Sequence, residues 1–516
     1  VSSIWSDYVP EFGLRPQQSD ALDQVWSAYE RGVETVMLEA PTGVGKSIVQ
    51  IAICRRMLAE RGVRSFIVTP QRALQDQLRA WTDLAIMKGR AAYKCSLLDD
   101  GTTAAMAPCT ESGAIRDEHP ECSDKRCPFY SALTRAVATP IVVHNYMSLL
   151  SQAYMVQHFS PRGLLCMDEG HTAAGWVRNF GTFELTYEQV EELGCGDPES
   201  QIPERFMRWF SDSIRAMDVL PTGLSDQLKL TVMRAMAFKS MLPLDGESDV
   251  PWTAIKDDHE QSWSVIPLKT SKMSGILTRL GDKKMIVTAT VLDKRLMGAE
   301  LGLTDANSVL VRISSAFDPK NRPVVKRYVG SMSASKAKFN EHKLINEIVK
   351  IANRHRDEPG LIHTVSHRMS KMVVESIRPQ IQNRSVECLP FGSDRDEAIR
   401  SFLSGGMGPN AILVGPSMME GLDGKDDSCR WQVMAKVPWP SMGDPVVSML
   451  MANKGDALKW ANAWYTWKTA QQTVQGIGRV CRTPNDHGVT YLLDSGFQRI
   501  LDSGYVPQYV LDALRS

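Results

Sequence analysis

The 516-residue chain has 59 basic and 59 acidic side chains and no formal net charge, which excludes a global basic field and leaves only local stripes for holding nucleic acid. Hydrophobic content of 43% and charged content of 23% are those of a globular protein, and the length calls for two to four domains. With no apolar run long enough to span a bilayer and no secretory leader, a cytoplasmic location without a membrane partner is expected.

In chain order, Arg15-Pro16-Gln17-Gln18 opens an amphipathic helix with Leu22, Val25, Trp26 and Tyr29 on its apolar face. The Gln18 amide is able to donate to and accept from an adenine edge at once. A strand is expected over Thr35 to Glu39 and a helix over Ile48 to Leu58. Between them lies Ala40-Pro41-Thr42-Gly43-Val44-Gly45-Lys46-Ser47, which reads as a phosphate-binding loop. Gly43 and Gly45 permit the tight turn that aims backbone N–H groups at a polyphosphate, and the following helix adds its dipole. Lys46 then reaches the β- and γ-phosphates, and Ser47 offers a hard oxygen to Mg²⁺. A short strand follows at Arg64 to Pro70, then a helix over Arg72 to Ala85, which places Thr69 and Gln71 at a strand's carboxyl end.

Four of the ten cysteines, Cys95, Cys109, Cys122 and Cys127, fall close together with 13, 12 and 4 residues between them. Structural zinc knuckles usually separate their cysteines by about two to four residues, so only the last pair suits zinc. The spacing favours a [4Fe–4S] cluster and leaves zinc open. Tyr93, Phe129 and Tyr130 flank these cysteines, as strand-separating aromatics or as packing around the group. Further on, strands over Pro140 to His144 and Gly163 to Met167 precede Asp168-Glu169-Gly170-His171. Asp168 is suited to hold a metal through its waters, Glu169 to orient attacking water, and His171 to relay nucleotide state.

Residues 181 to 270 change character to helical, with one stripe at Phe206, Phe210, Ile214 and Met217 and another at Leu228, Val232, Met236 and Met241. A strand over Lys284 to Val287 ends in Thr288-Ala289-Thr290. A second αβ pattern starts near Val309, with strands over Gly360 to Thr364, Ala411 to Val414, Gln432 to Val437 and Gly488 to Leu493. This half has no phosphate loop. It carries Glu420-Gly421-Leu422-Asp423 and Gln475 to Arg482 on an expected helix, where Arg479 and Arg482 would share one face as fingers for a γ-phosphate. A basic run, Lys320, Arg322, Lys326, Arg327, Lys336 and Lys338, opens this half as a solvated face or a nucleic-acid contact.

The order of these motifs resembles the superfamily 2 helicases, and specifically the XPD/DinG-like iron–sulphur group. The resemblance implies an α/β fold of two RecA-like parallel-sheet motor domains. Motor 1 would span 1–180 and 271–306, with an iron–sulphur insertion at 91–130 and a helical arch-like insertion at 181–270. Motor 2 would span 307–516. It implies ATP and Mg²⁺ bound by Gln18, Thr42, Gly43, Val44, Gly45, Lys46, Ser47, Asp423 and Gln475, with Lys46, Asp168, Glu169, His171, Arg479 and Arg482 catalytic. It also implies a [4Fe–4S] cluster on the four cysteines and nucleic-acid contacts by Thr69, Gln71 and Tyr93. The activity so implied is ATP-dependent DNA unwinding, 5′ to 3′ on single strands and at single/double-strand junctions. The protein would be a monomer with a possible loading partner, in the cytoplasm of a bacterium or of a phage's host. The stretch before Arg15 is too short for the N-terminal exonuclease domain of some relatives. A single-strand translocase with weak unwinding is the near alternative, and a metal-stapled nucleic-acid-binding module with a vestigial ATPase the remote one.

Overall fold

A computed structural model describes residues 4–9, 13–41, 43–70, 75, 78, 81, 83–98, 100–110, 119, 122, 126–194, 202–242, 251–315, 317–392, 394–416, 418, 424, 426–481 and 486–515. Two compact units emerge. One comprises Val1–Leu38, Lys46–Thr288 and Lys294–Val311, and the other Glu39–Gly45, Ala289–Asp293 and Arg312–Ser516.

In chain order the strands are β1 (Thr35–Glu39), β2 (Ser65–Val68), β3 (Leu84–Met87), β4 (Ile141–His144), β5 (Arg162–Asp168), β6 (Phe183–Thr186), β7 (Trp252–Asp257), β8 (Ser262–Pro267), β9 (Gly281–Thr288) and β10 (Ser308–Arg312). They continue with β11 (Val324–Gly330), β12 (Gly360–His363), β13 (Val386–Cys388), β14 (Ile412–Gly415), β15 (Trp431–Met434), β16 (Val489–Asp494) and β17 (Leu514–Arg515). A seven-stranded sheet has the order β10-β1-β9-β5-β2-β4-β3, and a second the order β13-β14-β12-β15-β16-β11-β17. In the first, β5 pairs in parallel with β2 and β9, and β4 with β2 and β3. In the second, β12 pairs in parallel with β14 and β15, and β16 with β15 and β11. Their inner strands read as continuous apolar runs, such as Leu-Leu-Cys-Met in β5 and Ile-Leu-Val in β14, because helices cover both faces of such sheets.

Three expectations differ from this arrangement. Most of the helix expected over Arg72 to Ala85 lies outside the described residues, and its last two positions belong to β3, because Leu84-Ala85-Ile86-Met87 is an apolar run that extends the sheet beside β4. Residues 181 to 270 are not purely helical. Helices Pro203–Ala216 and Asp226–Ala237 accompany an antiparallel sheet of order β6-β8-β7. Trp263 of β8 stacks on Phe206 at 4.1 Å, so the first apolar stripe packs against this sheet. Finally, Val309 does not open the second αβ pattern. It lies in β10, at the edge of the first sheet, and the second sheet begins with β11.

Candidate active site

Parallel register aligns the carboxyl ends of the central strands of the first sheet. Val68 lies beside Met167, and Asp168 beside Val287, so Thr69, Asp168 and Thr288 gather at one end of it. The helix that follows the glycine-rich loop, Lys46–Arg61, brings a cation to the same place: Lys46 Nζ lies 3.0 Å from Glu169 Oε1. One turn along, Gln50 donates its Nε2 to Asp168 Oδ1 at 3.2 Å, and Thr69 donates its hydroxyl to Asp168 Oδ2 at 3.0 Å. Tyr146 donates to the Asp168 backbone carbonyl at 2.8 Å. His171 Nδ1 lies 2.9 Å from Thr288 Oγ1 and 3.5 Å from Glu169 Oε2.

Local backbone geometry explains how two successive carboxylates address one helix. A regular strand would send Asp168 and Glu169 to opposite faces. Glu169 instead has φ 44° and ψ 44°, a left-handed conformation that costs an L residue about 1–3 kcal/mol and recurs at functional sites. Gly170 follows because its Cα packs on β9, where a Cβ would lie 2.4 Å from Ile286 Cγ2. Within the loop, Gly43 and Gly45 take φ of 81° and 85°, the turn for which glycine was expected.

Burial and then the neighbouring Glu169 carboxylate push Asp168 up to about 6, while Lys46, Thr69 and Gln50 pull the other way. Burial, followed by these two carboxylates, holds the Tyr146 phenol well above its usual range, so it remains a donor. Asp168 and the half-buried Ser47 offer the hard oxygens that Mg²⁺ prefers, so the donor set fits that ion.

The other expected residues have mixed placements. Thr69 is not available to grip a strand with its side chain. It is 0% exposed and turned inward to Asp168. Gln18 is 2% exposed, and its amide oxygen caps its own helix by accepting from the Arg15 backbone at 2.8 Å. Tyr93 accepts from the Lys88 backbone and packs edge-on to Phe129. Phe129 and Tyr130 are buried, which leaves neither side chain available to separate strands. Thr42, Gln71, Asp423 and Arg482 lie outside the described residues.

In the second unit, Gln475 donates to Thr290 Oγ1 at 3.1 Å. The helix that carries it, Gly455–Ile477, ends before Arg479, so Arg479 does not lie on that helix as expected. Gly478 terminates the helix, its N–H directed at the Val474 and Gly476 carbonyls. Gln432 fixes this end by donating to the Gly476 and Ile477 carbonyls and accepting from His363 Nε2. Burial above all, with Arg479 adding to it, lowers His363 to about 4, so the imidazole is neutral.

Among the described residues no three His, Cys, Asp or Glu side chains converge on a metal position, so the four cysteine thiols are not gathered into one coordination sphere. Contacts nevertheless draw their segments together. Ser96, beside Cys95, donates to the carbonyl of Arg126, beside Cys127, at 3.2 Å. Arg90 donates to Cys109 Sγ at 3.3 Å and lies over the Phe129 ring at 4.7 Å.

Sequence alone marks neither the Gln50 contact nor the inward role of Thr69. A trace of Gln50 was present: it is the one polar residue in the run Ile48 to Cys54, one helical turn after Lys46.

Comparison with known proteins follows the same division. Residues 11–193 match the family model "Type III restriction enzyme, res subunit", and residues 348–510 match "Helicase C-terminal domain". The ATP-dependent DNA helicase YoaA of Escherichia coli (strain K12) is 21% identical over 607 aligned positions, covering 94% of this chain and 92% of that protein. The regulator of telomere elongation helicase 1 homolog of Drosophila grimshawi is 35% identical over 85 residues, which span 15% of this chain and 9% of that protein. A solved XPD helicase superimposes with a TM-score of 0.63 at 13% identity, covering 96% of this chain and 99% of the other. The Xpd4 structure from S. tokodaii gives 0.58 at 14% identity, covering 97% and 99%. At those identities the two structures bear on the fold alone. The two family matches and the near-full-length relative support an ATP-dependent helicase that resembles the XPD/DinG-like group of superfamily 2.

Proposed function

We propose that the chain hydrolyses ATP to move 5′ to 3′ along single-stranded DNA and to unwind duplexes at single/double-strand junctions, as a cytoplasmic monomer. The observation that carries this reading is the convergence of Lys46, Glu169 and Asp168 at the end of the first sheet. When a polyphosphate occupies the loop, Lys46 exchanges its carboxylate partner for phosphate oxygens. That exchange releases Glu169 to orient the attacking water. Mg²⁺, when bound by Ser47 and Asp168, supplies charge neutralisation at the phosphates. His171 links Glu169 to the end of β9, and Arg479 serves as the finger contributed by the second motor. In this reading motor 1 carries its two insertions at 91–130 and 181–270, and motor 2 starts after β10.

The four cysteines hold a [4Fe–4S] cluster in this reading, supported by their ligand chemistry and by the contacts that join their segments. Iron content and visible absorption of anaerobically purified protein test it. Iron with broad thiolate-to-iron absorption supports the cluster, and zinc without colour overturns it.

ATP turnover with and without single-stranded DNA, followed by strand displacement on duplexes with a 5′ or a 3′ tail, tests the activity. DNA-stimulated turnover with displacement from the 5′-tailed substrate is expected, and Lys46→Ala should abolish turnover while leaving strand binding. Displacement from the 3′ tail only would overturn the polarity. Release of streptavidin from a tailed strand with no duplex opening would favour a translocase.

A further inference from the structure

Asp168 is held on both oxygens by neutral donors from two different elements. Gln50 comes from the loop helix and Thr69 from the residue after β2, at 3.2 and 3.0 Å. Both donors are almost fully enclosed, at 1% and 0% exposure. A carboxylate has about four lone-pair sites, so two donors leave room for metal-bound waters. The Tyr146 hydroxyl adds a third support at the backbone of the same residue. The Asp168 carboxylate therefore has a prescribed direction before any ligand arrives.

We propose that Gln50 and Thr69 are positioning residues for the metal-holding carboxylate, setting the affinity of the nucleotide site for Mg²⁺. The inference rests on reading Asp168 as the Mg²⁺ carboxylate of an ATPase. Gln50 lies one turn from Lys46, so a displacement of the helix that moves the phosphate-binding lysine moves the carboxylate's support with it. Thr69 closes the other oxygen from the end of β2. The carboxylate is thus held by two elements at once, one of which carries Lys46.

The test is the Mg²⁺ concentration required for half-maximal binding of a fluorescent, non-hydrolysable ATP analogue, with thermal unfolding of each variant alongside. Gln50→Leu keeps size and removes the donor. Thr69→Val keeps shape and removes the hydroxyl, and Thr69→Ser returns it. Loss of an outer-shell partner typically weakens a metal site about 10- to 100-fold, so each of the first two variants should raise the Mg²⁺ requirement about tenfold or more, with Thr69→Ser restoring most of it. An unchanged Mg²⁺ requirement in Gln50→Leu and Thr69→Val, with or without a lower unfolding temperature, would make both residues mere braces and overturn the proposal. If the wild-type protein binds the analogue without any dependence on Mg²⁺, it is the ATPase reading that fails.

Discussion

The ionisation of Asp168 offers a direct measure of how the site is built. Burial and the adjacent Glu169 raise its carboxyl from 3.8 to about 6. Between those values the folded protein binds a proton that the unfolded chain has released. Stability is therefore full below the unfolded value and falls as pH rises through the folded one. A shift of about two units at 1.36 kcal/mol each amounts to a penalty of roughly 3 kcal/mol at pH 8 and about half of that at pH 5. Asp168→Asn removes the charge and hence the penalty, at a fixed cost of roughly 1 kcal/mol where its amide faces a donor. The fixed cost cancels when two pH values are compared. Relative to wild type, the variant should gain roughly 1 kcal/mol or somewhat more of stability between pH 5 and pH 8. Urea titrations at both pH values, in EDTA and without nucleotide, measure this difference. A variant whose stability relative to wild type is the same at both pH values would refute a penalised carboxylate at this position, and with it the account of the site's electrostatics.

Two further outcomes follow from packing. Gly170→Ala places a Cβ 2.4 Å from Ile286 Cγ2, an overpacking worth about 1–3 kcal/mol, and a compensating Ile286→Ala should recover part of that loss in a double-mutant cycle read by thermal unfolding. In the second unit, the buried Asp494 accepts from the backbone N–H groups of Met332, Gly496 and Val437 at 3.1, 2.9 and 3.1 Å. Asp494→Ala orphans all three and should cost about 3 kcal/mol or more in urea unfolding, whereas an effect under about 1 kcal/mol would mean that these amides find water instead.

The parts of the site legible in the sequence were those written in consecutive residues. The phosphate loop, Asp168-Glu169-Gly170-His171 and the apolar strands before them announce themselves by composition and order. Contacts between distant segments were not legible. Nothing near Thr69 says that its hydroxyl faces Asp168, 99 residues later, and its position at a strand end suggested an outward role. β3 was read as the tail of a helix because Leu84 to Met87 is a short apolar run that periodicity cannot assign. β7 and β8 do not stand out in the sequence because Trp252–Asp257 and Ser262–Pro267 are short, and the sheet they join includes β6, about 70 residues upstream. Arg479 and Arg482 were placed on one helix face although Gly476 and Gly478 argued for a helix end, and Gly478 does stop it.

Why the ionisable groups meet where they do follows from two repeat lengths. Four residues of helix rise about 6 Å, and two residues of strand about 6.6 Å. A helix lying antiparallel to β5 can therefore match every fourth residue of its own to every second residue of the strand. Gln50 meets Asp168, and one helical turn further Cys54 meets Cys166, with the sulphurs 3.6 Å apart and both residues fully buried. In the other direction, Lys46 meets Glu169, which the left-handed backbone turns back toward the helix. Polarity rises along this ladder from paired thiols, through an amide on a buried carboxylate, to an ion pair. The gradient places the ligand end at Lys46 and the structural end at Cys54. A hydroxyl or charge introduced at Cys54 would bury a polar group in the apolar rungs that keep the helix in register, so a change about two turns from Lys46 would reach Gln50 and Lys46 through the same helix.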